Sequence, residues 1–126
     1  MDYKAPVEAY TGVVREVTIG KGSKSIKIGG ENILPLHFFD QGSNPNPVKF
    51  ALEVLDMKPE DWPEHAVEPF KDVISDPVSW ARKCQGFGVD AVSLFLMSTD
   101  PAVKNAPADK AAELAKKVAS AVLDVW

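Results

Sequence analysis

The chain has 126 residues, 45% of them apolar and 25% charged, with a net charge of −4; this is enough apolar material for a buried core and argues against a disordered polyelectrolyte. Acidic and basic residues are interspersed, so no concentrated positive field exists to neutralise nucleic-acid phosphates. Apolar stretches such as residues 94–97 fall far short of the ~20 residues of a membrane span, residues 1–4 do not open a signal peptide, and the cytoplasm is the expected location.

In chain order, Val13, Val17 and Ile19 alternate on one side of a segment, and Ile26 and Ile28 resume the alternation after Gly20, Lys21, Gly22 and Ser23. This predicts a β-hairpin. The same Gly- and Lys-rich turn has a superficial likeness to a phosphate loop, but it lacks the full spacing and sits between two alternating segments, which favours a hairpin turn. Gly29 and Gly30 break the pattern, and residues 33–39 form a second apolar segment carrying His37. A lone histidine of this kind reads as a packed or surface residue, and His65, among prolines and acids, as a solvated one. Residues 40–47, rich in Gly, Ser, Asn and Pro, form a loop.

Residues 48–57 are nearly continuously apolar apart from Lys49, Glu53 and Asp56, which predicts a strand buried on both faces of a parallel sheet. Pro59, Pro63 and Pro69 then forbid a long helix. Ser75, Asp76 and Pro77 give a helix start, an oxygen-bearing cap followed by proline in the first turn, and Gly86 or Gly88 supplies the stop. Within that helix Trp80, Ala81 and Cys84 fall at helical spacing. Cys84 is the sole cysteine and reads as a small core residue, so this chain alone can build neither a disulfide nor a thiolate cage for zinc or an iron–sulfur cluster.

Residues 90–97 repeat the buried-strand signal and end in Ser98, Thr99, Asp100 and Pro101. Pro107 opens a final helix with an apolar stripe of Ala111, Leu114, Ala115, Val118, Val122 and Val125, while Glu113 can pair with Lys116 or Lys117 on the wet face. The order hairpin, strand, helix, strand, helix predicts an α/β chain with a parallel sheet. A lead-in segment over residues 1–47 and a strand–helix segment over residues 48–126 are the expected divisions. A third strand is expected soon after the last helix, so the chain reads as cut rather than finished.

Four stretches carry a resemblance to a known family: Gly29, Gly30 and Glu31 with the run Leu34 to Phe38; Glu53 to Met57; Asp76 and Pro77 with Trp80 to Lys83; and Ser98 to Pro101. In that order and spacing they resemble the small (delta) subunit of the corrinoid iron–sulfur protein of the acetyl-CoA decarbonylase/synthase system. The resemblance implies a (β/α)8 TIM-type barrel, which needs ~250 residues, so this chain would hold the hairpin and the first two βα units as a fragment. It also implies a partner, the large (gamma) subunit, which bears the iron–sulfur cluster, with cobalamin held between the two. Methyl transfer then runs from a methyl-tetrahydropterin, delivered with a methyltransferase, to acetyl-CoA synthase, and this subunit acts as an accessory rather than a catalyst. No lower axial cobalt ligand is expected from His37.

Barrel sites gather at the C-terminal ends of the strands. On that rule Asp56 and Met57 at the end of the first strand and Ser98, Thr99 and Asp100 at the end of the second are expected to face the corrinoid or the partner subunit. Asp56, Ser98, Thr99 and Asp100 are the candidate cofactor-binding residues, set against the plainer alternative that Ser98 or Asp100 turns the chain and caps a following turn. Two other functions are open: a fragment of a pterin-binding methyltransferase barrel, with Asp56 and Asp100 as acceptors for the pterin, and a ligand-free binding module. With so few strands the sheet is expected to keep an open edge and an uncovered face, to be satisfied by further chain or by self-association.

Overall fold

The computed structural model describes residues 3, 7, 9–20, 22, 25–33 and 42–122, and the chain divides into two compact units, Met1–Val48 and Lys49–Trp126. In the first unit, strand β1 (Val17–Ile19) pairs antiparallel with β2 (Ile26–Ile28), in the register Val17 to Ile28, Thr18 to Lys27 and Ile19 to Ile26. The hairpin is thus present with shorter regular strands than the alternation implies. Backbone bonds carry the pairing further, from Gly30 N–H to the Val14 carbonyl (2.9 Å) and from Val14 N–H to the Glu31 carbonyl (2.8 Å). Between them the ladder is broken by Gly29 and Gly30, at φ +78° and +85°. A Cβ at Gly29 would overlap the Arg15 carbonyl oxygen, so the close backbone approach admits no side chain there.

Across this break the Asn46 amide donates to the Gly29 carbonyl (2.8 Å) and to Glu16 (3.0 Å), while Lys27 closes on Glu16 at 2.8 Å. The Lys27 and Asn46 contacts hold the Glu16 carboxyl below the usual carboxylate range. In the turn, Ser25 bonds back to the Gly22 carbonyl through its N–H (3.2 Å) and its hydroxyl (2.8 Å), as a hairpin turn does. The apolar segment of residues 34–39, with His37, lies outside the described residues.

The second unit is built on two parallel strands. Strand β3 (Ala51–Leu55) pairs with β4 (Ala91–Phe95), with Ala51 opposite Ala91 and Leu55 opposite Phe95. At the start of the pair Asp90 grips the Phe50 N–H (3.0 Å) and Lys49 (2.9 Å), which keeps its carboxyl below the ordinary range. The connection holds the short helix α1 (Glu64–Val67), a 3-10 turn (Glu68–Phe70) and helix α2 (Pro77–Gly86), so the three prolines do limit helix length as expected. Asp76 caps α2 as its sequence predicts. Its carboxylate accepts from Val78 N–H (3.2 Å) and the Ser79 hydroxyl (2.5 Å), and these bonds, Ser79 foremost, lower its pKa.

Helix α3 (Ala108–Ala121) follows β4, and its stripe of Ala111, Leu114, Ala115, Val118 and the flanking Val122 is half-buried or buried. The core joins Val54, Leu55 and Val92 of the sheet to Ile74, to Trp80, Ala81 and Cys84 of α2, and to Val118 and Val122. Full burial of a side chain the size of Val54, Val92 or Val118 contributes about 1.5–3 kcal/mol. Trp80 sits at the centre with its ring centroid 5.8 Å from Trp62 and 5.7 Å from Phe70.

Two expectations are corrected here. Strand β3 is buried on both faces only at its end: Val54 and Leu55 are sealed, but Ala51 and Glu53 are exposed, as is Phe95 of β4. Burial on both faces holds only over part of the pair, at Val54 with Leu55 and at Ala91 with Val92, and lapses at Ala51, Glu53 and Phe95. Glu113 makes no ion pair with Lys116 or Lys117, since every ion pair among the described residues lies elsewhere.

Candidate site at the strand ends

Parallel strands deliver their C-terminal ends to one edge, and Asp56, Ser98, Thr99 and Asp100 all arrive there. Asp56 follows β3 directly, its N–H extending the ladder to the Phe95 carbonyl at 3.2 Å. Its carboxylate accepts the Ser98 N–H (3.0 and 3.3 Å to the two oxygens) and the Ser98 hydroxyl. The end of one strand is therefore laced to the 3-10 turn (Met97–Thr99) after the other. Thr99 donates its hydroxyl to the Leu96 carbonyl (2.7 Å), and Asp100 accepts from Ala102 N–H (2.7 Å) while its carbonyl gathers three N–H groups over residues 103–105. Each of the four candidate side chains is thus brought to the edge and bonded within the chain, as the turn-and-cap alternative for Ser98 and Asp100 also required.

Beside this lacing opens a cleft of about 460 Å3, in the size range of small-ligand sites. Its apolar wall is Leu55, Met57, Trp62 and Met97, and Lys58 and Lys104 stand at its rim with Glu60 and Asp61. Neither lysine has a carboxylate within ion-pair distance among the described residues. Of these lining residues the sequence pointed to Met57 alone, at the end of the first strand. The signal was there in Lys58 and Lys104, which follow the ends of the two strands and so obey the same edge rule as the residues that were named.

No group of three His, Cys, Asp or Glu side chains that could hold a metal ion exists among the described residues. Cys84 is buried in the core, where desolvation raises its thiol pKa, and His65 is exposed. A corrinoid fits this edge in a limited way: the cleft matches a ring edge or side chain, with apolar contact from Trp62 and the methionines and polar partners from the lysines and carboxylates. It is too small to enclose the macrocycle. No described helix is long and apolar enough to cross a membrane.

Comparison with known proteins bears on this geometry. Residues 16–124 match the family model described as CO dehydrogenase/acetyl-CoA synthase delta subunit. The acetyl-CoA decarbonylase/synthase complex subunit delta of Methanocaldococcus jannaschii is 35% identical over 129 aligned residues, covering 97% of this chain and 31% of the relative. The subunit delta of Archaeoglobus fulgidus is 36% identical over 124, covering 91% and 27%, and that of Methanothermobacter thermautotrophicus 32% over 123, covering 96% and 31%. The chain spans less than a third of the length of these curated relatives. Matched along nearly its whole length by that model and by these subunits, the chain belongs to the CO dehydrogenase/acetyl-CoA synthase delta subunit family.

Proposed function

We propose that this chain is a section of an acetyl-CoA decarbonylase/synthase delta subunit in which the hairpin and two strand–helix units begin a (β/α)8 barrel, with the strand-end cleft turned toward a corrinoid held by the large (gamma) subunit. The observation that carries the reading is the parallel β3–β4 pair, whose C-terminal ends bring Asp56, Ser98, Thr99 and Asp100 beside an open cleft. The surface exposed at Ala51, Glu53 and Phe95 is what further barrel strands would cover. The proposed divisions are residues 1–47 and 48–126, and the proposed location is the cytoplasm.

The corrinoid supplies the methyl-carrying chemistry when bound, and the iron–sulfur cluster belongs to the partner. The residues of this chain act as a wall. Asp56 and Ser98 fix the turn after β4, Trp62, Met57 and Met97 exclude water, and Lys58 and Lys104 offer donors to acceptor groups on the ring's periphery. A role in passing the methyl group from a tetrahydropterin, with its methyltransferase, to acetyl-CoA synthase follows from that placement. The pterin alternative is less well supported, because the Asp56 and Asp100 carboxylates already accept hydrogen bonds inside the chain.

Tryptophan emission tests this. Titration with the cobalamin-loaded large subunit is expected to quench the chain's fluorescence to saturation, and Trp62→Phe to remove most of the change. Saturable binding with no quenching, or quenching untouched by Trp62→Phe, would turn the cleft away from the corrinoid.

A further inference from the structure

Helices α2 and α3 pack side by side, and between them runs a second groove of about 590 Å3, lined by Val78 and Arg82 of α2 and by Glu113, Lys116, Lys117 and Ala121 of α3. The spacing explains the lining: Val78 and Arg82 are one turn apart, as are Glu113 and Lys117, so each helix offers a single continuous face. The floor is apolar, made of half-buried Val78 and Ala121 with the methylene stems of the long side chains. Three cations against one anion leave the rim at +3 − 1 = +2, on a chain whose net charge is −4.

Among the described residues these cations are also uncommitted. Lys27, Lys49, Lys71 and Lys83 each hold a carboxylate at 2.5–2.9 Å, whereas Arg82, Lys116 and Lys117 hold none among the described residues. Asp76 senses the Arg82 charge only weakly, its carboxylate being engaged by Ser79 and Val78. Cations left unpaired around an apolar trough between two helices complement one kind of occupant, an amphipathic helix with apolar residues on one face and carboxylates along its flanks.

We propose that the α2–α3 groove docks an acidic amphipathic segment of another subunit of the same complex. The inference rests on the delta-subunit reading and adds to it a contact surface separate from the strand-end cleft. The test mixes the full chain with the remaining purified subunits of the complex, scores co-elution, and maps lysine acetylation by mass spectrometry before and after assembly. Lys116 and Lys117 are expected to lose reactivity on assembly while exposed Lys71 keeps it. The double variant Arg82→Glu, Lys117→Glu, both positions being exposed, is expected to keep the unfolding midpoint and bind about tenfold more weakly, with the difference shrinking in high salt. Co-elution with unchanged Lys116 and Lys117 reactivity overturns the groove alone. So does loss of reactivity already in the free chain, which would show the groove filled by the chain's own segment or a second copy. Absence of co-elution overturns the subunit reading and the groove with it.

Discussion

Trp80 allows a sharp test of how the core is held. Its side chain is fully buried among Trp62, Phe70 and the sheet, yet its indole N–H has no acceptor among the described residues. Trp80→Ala removes the largest buried side chain and is expected to cost about 3–5 kcal/mol, transfer and cavity terms together. Trp80→Phe behaves differently. It forfeits three ring atoms, of which the two carbons are worth about 1–2 kcal/mol of packing at ~0.8 kcal/mol per buried methylene, and the third is the unpaired donor nitrogen, whose burial costs about 1–3 kcal/mol. The two nearly cancel, so Trp80→Phe is expected to lie within about 1 kcal/mol of the parent. Urea unfolding followed by far-ultraviolet circular dichroism reads both variants. If Trp80→Phe costs as much as Trp80→Ala, the N–H has a partner and the reasoning fails.

Asp76→Ala removes the α2 cap and is expected to lower stability by about 1 kcal/mol, seen as a reduced urea midpoint with unchanged slope. For Asp90 the sign follows from its lowered folded pKa, held down by the Phe50 N–H and Lys49. Its contribution is complete above the unfolded value of about 3.9 and is lost as pH falls through the folded value. The gap in thermal midpoint between parent and Asp90→Asn should therefore hold steady from neutral pH down to roughly 5 and close below about 4; a gap that widens on acidification would contradict this. Gly29→Ala forces a Cβ onto the Arg15 carbonyl at positive φ, and hydrogen exchange should show the amides of Val14 and Gly30 losing protection while those of β3 and β4 keep theirs.

The sequence made the parallel pair legible because two apolar runs flanked a well-capped helix, and neither signal depends on side-chain detail. Asp76 and Pro77 were readable for the same reason: a cap is local chemistry. The exposure of Ala51, Glu53 and Phe95 was not, since a short apolar run does not show where along a strand its cover ends. At the site, the edge rule located Asp56 and Ser98, but the lacing between them joins residues 42 apart and needed coordinates. The cleft's Trp62 lies in the proline-rich stretch, where periodicity says nothing. The Asp90 clamp on Lys49 and Phe50 is likewise a long-range contact between strand beginnings, invisible to any window of sequence.

The register of the sheet also governs the order of events during synthesis. Every residue of β3 meets one that lies 91 − 51 = 40 positions further along, so on a ribosome adding about 5–20 residues per second, β3 waits roughly two to eight seconds for its neighbour. Helix α2, with its own cap and its aromatic neighbours Trp62 and Phe70, is completed late in that interval, 91 − 86 = 5 residues before β4 begins. The nascent chain therefore has Trp80 available to shelter Val54 and Leu55 before Val92 emerges. Slowing translation just after Gly86 should favour that intermediate, whereas clearing the same stretch quickly would leave the two apolar strands to find each other unaided.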